Sequence, residues 1–197
     1  MAEIADAIAA KRLVRNLRYR LTYTKVYESF LEPEPHPEVV KLLHALIDAQ
    51  RSAITALSGY LPNLGVAAQD LPLVQRLLDH AACRTDVRSR LHFARYGLTK
   101  AVSWYKEQLV DRQMTGDPEL SQILLQLGEL EAASLWRTRA TMTMLGIREE
   151  AELQKRPLTP HNEPDRARRE RSRGARTPSP NRTEWRGRGS VRRSTLT

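Results

Sequence analysis

Three clusters of prolines and turn-forming residues punctuate the first 150 residues, and between them the apolar residues recur at helical spacing. Pro33, Pro35 and Pro37 form one cluster, Pro62, Asn63 and Gly65 a second, and Thr115-Gly116-Asp117-Pro118 a third. A proline lacks the amide donor and its ring clashes with the preceding turn, so a helix does not run through such a cluster. The first stretch, Glu3 to Leu31, carries Ile4, Ile8, Leu13, Leu17 and Leu21 on one pattern and Tyr19, Tyr23 and Tyr27 at steps of four, which predicts one long amphipathic helix. The second opens on Pro37, at a position where a missing N–H costs nothing. Val39, Leu43, Leu46, Ile47, Ile54, Leu57 and Leu61 form its apolar stripe.

Between Leu71 and Leu109 the pattern restarts. Leu73, Val74, Leu77, Leu78 and Ala81 give a short helix, and Val87, Leu91, Ala94, Leu98, Ala101, Val102, Tyr105 and Leu109 a long one. Thr85 and Asp86 are poor helix-interior residues and good N-caps, so two helices are expected across 71–112 rather than one. The last stretch has Asp117 as N-cap, Pro118 at the first helical position, a stripe from Leu120 to Leu145, and Gly146 to close it. No segment alternates apolar and polar residues. The expected fold class is therefore all-α: a four-helix bundle over residues 1–150, with helices of roughly 25–30 residues, or about 38–45 Å, and a short helix in the connection between the second and third long ones.

Charge divides the chain at the same place. The formal net charge is +9, and residues 155–197 hold 13 of the 32 Lys+Arg but only 4 of the 23 Asp+Glu, leaving 19 of each sign in residues 1–154. The body is neutral and the C-terminal segment carries the whole excess. That segment, residues 151–197, is rich in Arg, Pro, Ser, Thr and Gly, and so few large apolar residues cannot offset the entropy of ordering them; it is expected to be disordered. Cys83 is the only cysteine, so no intrachain disulfide forms. The N-terminus MAEIADAIAAKRLVRN has charges inside its apolar stretch and does not read as a secretory signal. No run approaches the ~18 apolar residues of a membrane span. A soluble protein of a reducing, cytoplasmic compartment is expected, without membrane association.

The segment HPEVVKLLHALIDAQRSAITALSGYLPNLG resembles the second helix of small bacterial ferritin-like domains, and DPELSQILLQLGELEAASLWRTRATMTMLGI reads as the equivalent fourth helix. Both start with x-Pro-Glu and end near Leu-Gly, a hint of an internal two-helix repeat. The resemblance covers roughly residues 3–147 and implies the ferritin-like layout. The di-metal site of that superfamily takes an inward Glu from two helices and Glu-x-x-His from the other two. The second helix here offers Asp48-Ala-Gln-Arg51, with Gln50 on the apolar stripe, and the fourth offers Glu131-Ala-Ala-Ser134. The first helix has Glu3 and Glu28 only at its ends, and the third has Glu107 far along. The resemblance thus implies the fold, while the ligand residues do not follow, and no cofactor or metal is expected.

Glu131 lies one turn from Leu127 and from Leu135 on the face that must turn inward. It is read as a carboxylate paired inside the bundle with an arginine, Arg95 first, with Gln50 nearby, in preference to a surviving metal ligand. His44, His80 and His92 lie in three segments without metal-ligand spacing and are expected as partly exposed helix residues. Cys83 is expected to be a small packed thiol, Trp104 and Trp136 to cover the ends of the core, and the tyrosine stripe to be core with hydroxyls at the surface. In the C-terminal segment, Arg168, Arg169, Arg171, Arg173, Arg186, Arg188, Arg192 and Arg193 are candidate nucleic-acid contacts, since arginine pairs with phosphates and releases counterions. A solubilising tail is the competing reading. The expected function is a non-catalytic bundle acting by protein or self association, as a homodimer or with a protein partner. The alternatives are a metal-binding or oxidase protein with an altered site, and weak nucleic-acid binding through the tail.

Overall fold

All regular structure among the described residues of the computed structural model is helical. Those residues are 2–32, 34–68 and 70–148, with side chains from Asp6 onward. The chain divides into two units, Met1–Glu149 and Glu150–Thr197; the expected disordered tail and its eight candidate arginines lie outside the described residues. The elements are α1 (Ala2–Leu31), α2 (Pro37–Tyr60) running into a 3₁₀ turn (Leu61–Leu64), α3 (Gln75–Ala82), α4 (Val87–Val110), α5 (Arg112–Thr115) and α6 (Pro118–Met144). None of these helices is long and apolar enough to cross a membrane.

The breaks fall where the punctuation puts them. Asp86 caps α4 by accepting a 2.9 Å hydrogen bond from the Ser89 amide, so 71–112 is indeed two helices and a further turn. Asp117 caps α6 by accepting from the Glu119 amide at 2.8 Å, with Pro118 at its first position. Each cap satisfies an amide that has no partner inside its own helix.

Helix α1 packs along α2, α4 along α6, and α2 against α6. Phe93 of α4 reaches α1, its ring centroid 6.0 Å from Phe30 and 6.2 Å from Tyr23. The buried residues form two apolar clusters. One holds Tyr27, Phe30, Leu43, Leu46, Leu91, Leu98 and Met142, the other Leu13, Leu17, Leu57, Leu61, Tyr105, Leu120 and Leu124. Each long helix passes from one cluster to the other, and on α1, α2 and α6 the crossing residue is polar and buried: Arg20, Gln50 and Glu131. Each fully buried leucine contributes about 1.5–3 kcal/mol. Polar ties fix the connections: Arg18 Nε donates to the Pro72 carbonyl at 2.9 Å, the Val74 amide to Thr22 Oγ1 at 3.0 Å, and Arg12 pairs with Asp111 at 2.5 Å.

The two-helix repeat hinted at by the matching helix starts has a definite register. A shift of 81 residues carries Gln50 onto Glu131, and the same shift relates Pro37 to Pro118, Glu38 to Glu119 and Gly65 to Gly146. Along α2 and α6 it pairs Val39 with Leu120, Leu43 with Leu124, Leu46 with Leu127, Ala53 with Ser134, Leu57 with Thr138 and Leu61 with Met142, all buried. The helix ends match bond for bond. Gly65 and Gly146 are both left-handed, with φ of 69° and 67°. Their amides donate to Pro62 and Thr143 at 2.9 and 3.0 Å, and the following amides, Val66 and Ile147, reach back to Leu61 and Met142 at 3.2 and 2.8 Å. This is the Schellman arrangement, which needs a residue free of the Cβ clash at positive φ.

Gly146→Ala and Gly65→Ala should therefore each destabilise the fold by about 1–2 kcal/mol. Gly59→Ala, inside α2 where a Cβ would meet nothing within 4 Å, should stabilise it by about 0.5–1 kcal/mol. Urea unfolding midpoints measure all three, and equal shifts would sink the assignment of the two terminators.

Candidate functional site

The charged centre of the protein is built from residues of all four long helices, two of them from α1. The Arg20 guanidinium of α1 is almost wholly buried, as is Glu131 of α6, which is 1% exposed. Arg20 Nη1 donates to Glu131 Oε1 and, at 3.0 Å, to Gln50 Oε1 of α2. Its Nη2 donates to the Tyr105 hydroxyl of α4 at 2.8 Å, and its Nε to Asn16 Oδ1 at 3.2 Å. Tyr105 passes its own proton to Asn16 Oδ1 at 2.9 Å, and Gln50 Nε2 donates to Glu131 Oε1 at 3.1 Å. The guanidinium also lies 5.3 Å from the Tyr105 ring centroid, a cation–π contact.

Local sequence puts these groups together. Arg20 sits three residues after Leu17 and seven from both Leu13 and Tyr27, all buried, so it cannot avoid the interior. Burial by itself lowers the arginine pKa, but Glu131 and then Tyr105 more than offset that, and the guanidinium is held above its ordinary value. Tyr105 is pushed up by burial, with Arg20 pulling the other way. Burial likewise raises Tyr23 and Tyr27. All of these phenols stay protonated at neutral pH.

Glu131, Gln50 and Arg95 are all buried. Glu131 meets Gln50, but its basic partner is Arg20 rather than Arg95, which lies on α4. Spacing says that both arginines face inward; it does not say which one stands at the level of Glu131. Arg20, Asn16 and Tyr105 escaped the sequence reading for that reason, although the position of Arg20 on the buried stripe of α1 was a usable signal. Four further expectations need correction. His92 is buried, 5% exposed, because it lies one turn before the buried Arg95 on the inward side of α4; His44 is exposed, and His80 is partly exposed as expected. Cys83 is exposed, at the end of α3 where the chain turns away from the core. Trp136 is 70% exposed, whereas Trp104 packs edge-on against Tyr105 with centroids 4.9 Å apart. Tyr27 is fully buried, hydroxyl included in a side chain of 1% exposure, while Tyr19 is exposed.

Two smaller polar contacts tie the helix ends. Glu34, before α2, accepts from the His36 amide at 3.0 Å and faces Arg90 of α4 at 3.6 Å. Tyr60, closing α2, donates to Asp117, the cap of α6, at 2.5 Å. Among the described residues no three His, Cys, Asp or Glu side chains group as metal ligands. An open hollow of about 630 Å³ is lined by Ser58, Pro62, Gly65, Val66, Ala67 and Ala68, with no charged side chain. The chain matches no protein-family model, no curated protein and no solved structure.

Removing one member of the central pair leaves the other charge buried without its partner, at a cost of about 3–5 kcal/mol. Glu131→Gln and Arg20→Met should each show that loss in urea unfolding, and Arg20→Met with Glu131→Leu should recover most of it; single variants that unfold like wild type would mean that water reaches the centre.

Acid acts elsewhere. The Tyr60 hydrogen bond holds the Asp117 carboxyl below its ordinary range, burial opposes it, and the α6 amides add to the lowering. A carboxyl lowered by folding contributes stability that is complete above its unfolded pKa, about 3.9, and is lost as pH falls through the folded value. The thermal midpoint should therefore drop on acidification below about pH 4, and Tyr60→Phe should flatten that drop. Superimposable midpoint–pH curves for the two proteins would count against the coupling.

Proposed function

We propose that this chain is a non-catalytic, ferritin-like four-helix bundle of the cytoplasm that acts by associating with itself or with another protein. The observation that carries the reading is the centre. Side chains of all four long helices, Asn16, Gln50, Tyr105 and Glu131, meet at a single point, where a ferritin-like bundle would hold its metal ions, but the cation they surround is the Arg20 guanidinium of the protein itself. The donor set is one carboxylate, one phenol and the amides of Gln50 and Asn16, with acceptors directed at Arg20. That set does not fit a pair of metal ions, and no chemistry is routed through one. The helix order supports the layout: two long helices, a connection holding a short one, then two more.

A bundle whose interior is closed by its own ion pair offers its surfaces for work. Protein purified from iron- and manganese-rich medium should contain far less than one metal ion per chain by elemental analysis. Close to two tightly bound ions per chain would overturn the reading and favour an oxidase with an altered site.

A second reading rests on the division of charge: the excess of +9 lies in residues 155–197. Binding through these arginines should be weak, with Kd in about the 10⁻⁴–10⁻⁶ M range, and should fall steeply with salt. Fluorescence anisotropy with a single-stranded oligonucleotide tests it. Affinity unchanged by serine at Arg168, Arg169, Arg171 and Arg173 would remove those residues from the contact.

A further inference from the structure

The internal repeat supplies a control for judging one surface. Helices α2 and α6 each turn one stripe to solvent, and the 81-residue shift matches those stripes position by position. On α2 the stripe is polar: His44, Thr55 and Asn63 are exposed where α6 exposes Leu125, Trp136 and Met144. The three α6 side chains are 49%, 70% and 58% exposed. Asp48 of α2 corresponds to Glu129 of α6, and both are exposed acids. The same place in the same supersecondary unit is thus suited to water in one half and apolar in the other. A large apolar side chain there gains nothing from solvent, and exposed aromatic and methionine side chains are enriched at contact surfaces.

The stripe runs from Leu125 to Met144, about 29 Å. Its middle is small, Ala132 and Ala133, and its charges lie on either side of that middle: Glu129 one turn before, Arg137 one turn after, both exposed. Glu129 and Arg137 stand four residues either side of Ala133, so a two-fold rotation about Ala133 sets each Glu129 at the height of the Arg137 of the other copy, and the charges complement each other on antiparallel pairing.

We propose that two copies of this chain pair antiparallel through α6, about a two-fold axis near Ala132 and Ala133, with Trp136 as the anchor. This rests on the reading of the chain as an associating bundle and names its partner and surface. A contact made by one helix is smaller than the roughly 800 Å² per partner of a standard interface, and a dimer Kd in about the micromolar range is expected.

Sedimentation velocity of the full chain from about 1 to about 200 µM tests it, that range spanning the expected Kd. The wild type should pass from monomer to dimer. Trp136→Glu should weaken the dimer by about thirtyfold, the contribution of a buried aromatic anchor, and Leu125→Glu should weaken it independently. Glu129→Arg and Arg137→Glu should each weaken it, and the two together should restore it. Asp48→Arg, at the matching place on α2, should leave it unchanged. All these side chains are exposed, so thermal midpoints taken at low concentration should stay near wild type. A dimer indifferent to Trp136→Glu and to the charge reversals overturns the α6 contact while self-association stands. A chain monomeric throughout overturns the pairing altogether, and the metal analysis above remains the separate test of the non-catalytic bundle.

Discussion

A guanidinium and a carboxylate buried together between helix faces that are otherwise largely apolar set the terms for everything else in this protein. Taking two charges out of water is expensive, and their attraction repays it only when the remaining donors and acceptors are also satisfied. Asn16, Gln50 and Tyr105 do that work, so α1, α2, α4 and α6 must all present the right residue at the same height. Leucine stripes alone permit helices to slide by a turn or to rotate slightly at little cost, because one leucine packs much like the next. A slip here would leave a buried charge facing methyl groups. The pair adds little net stability but specifies one register, as buried polar residues do in coiled coils.

Its position explains the division of the core into two apolar clusters. Every long helix crosses from one cluster to the other near the polar level, and each cluster seals one side of it from water. The sealing in turn makes the ion pair strong and keeps the phenol of Tyr105 protonated. Apolar and polar parts of the interior are therefore mutually dependent: the clusters give the centre its low dielectric, and the centre gives the clusters their alignment.

Much of this was legible in the residues. Proline clusters, Asp117-Pro118 and Gly146 marked the helix ends because local chemistry decides them: a missing amide, a capping oxygen, a positive φ. The facing of Gln50 and Glu131 was legible because period alone determines which side of a helix must be buried. The choice of Arg20 over Arg95 was not, since it depends on which helices lie across from one another and on their relative height, neither of which a periodicity contains. Cys83 follows closely on the buried Ala81 and is nevertheless exposed, because on a helix adjacent residues point about 100° apart and chain neighbours do not decide surroundings. The shared x-Pro-Glu starts announced a repeat, but its register appears only when caps, burial and the Gln50–Glu131 hydrogen bond are aligned together.

That alignment has a consequence for how such a molecule can change over generations. Gln50 and Glu131 stand at matching places 81 residues apart, yet one is neutral and the other charged, and both bond the Arg20 guanidinium. Restoring the symmetry by a second glutamate would leave an uncompensated negative charge, and removing the existing one would strand the arginine. A change of charge at position 20, 50 or 131 therefore weakens the whole centre unless one of the other two positions compensates. In an alignment of relatives, these three columns would covary even where the surrounding leucines drift freely.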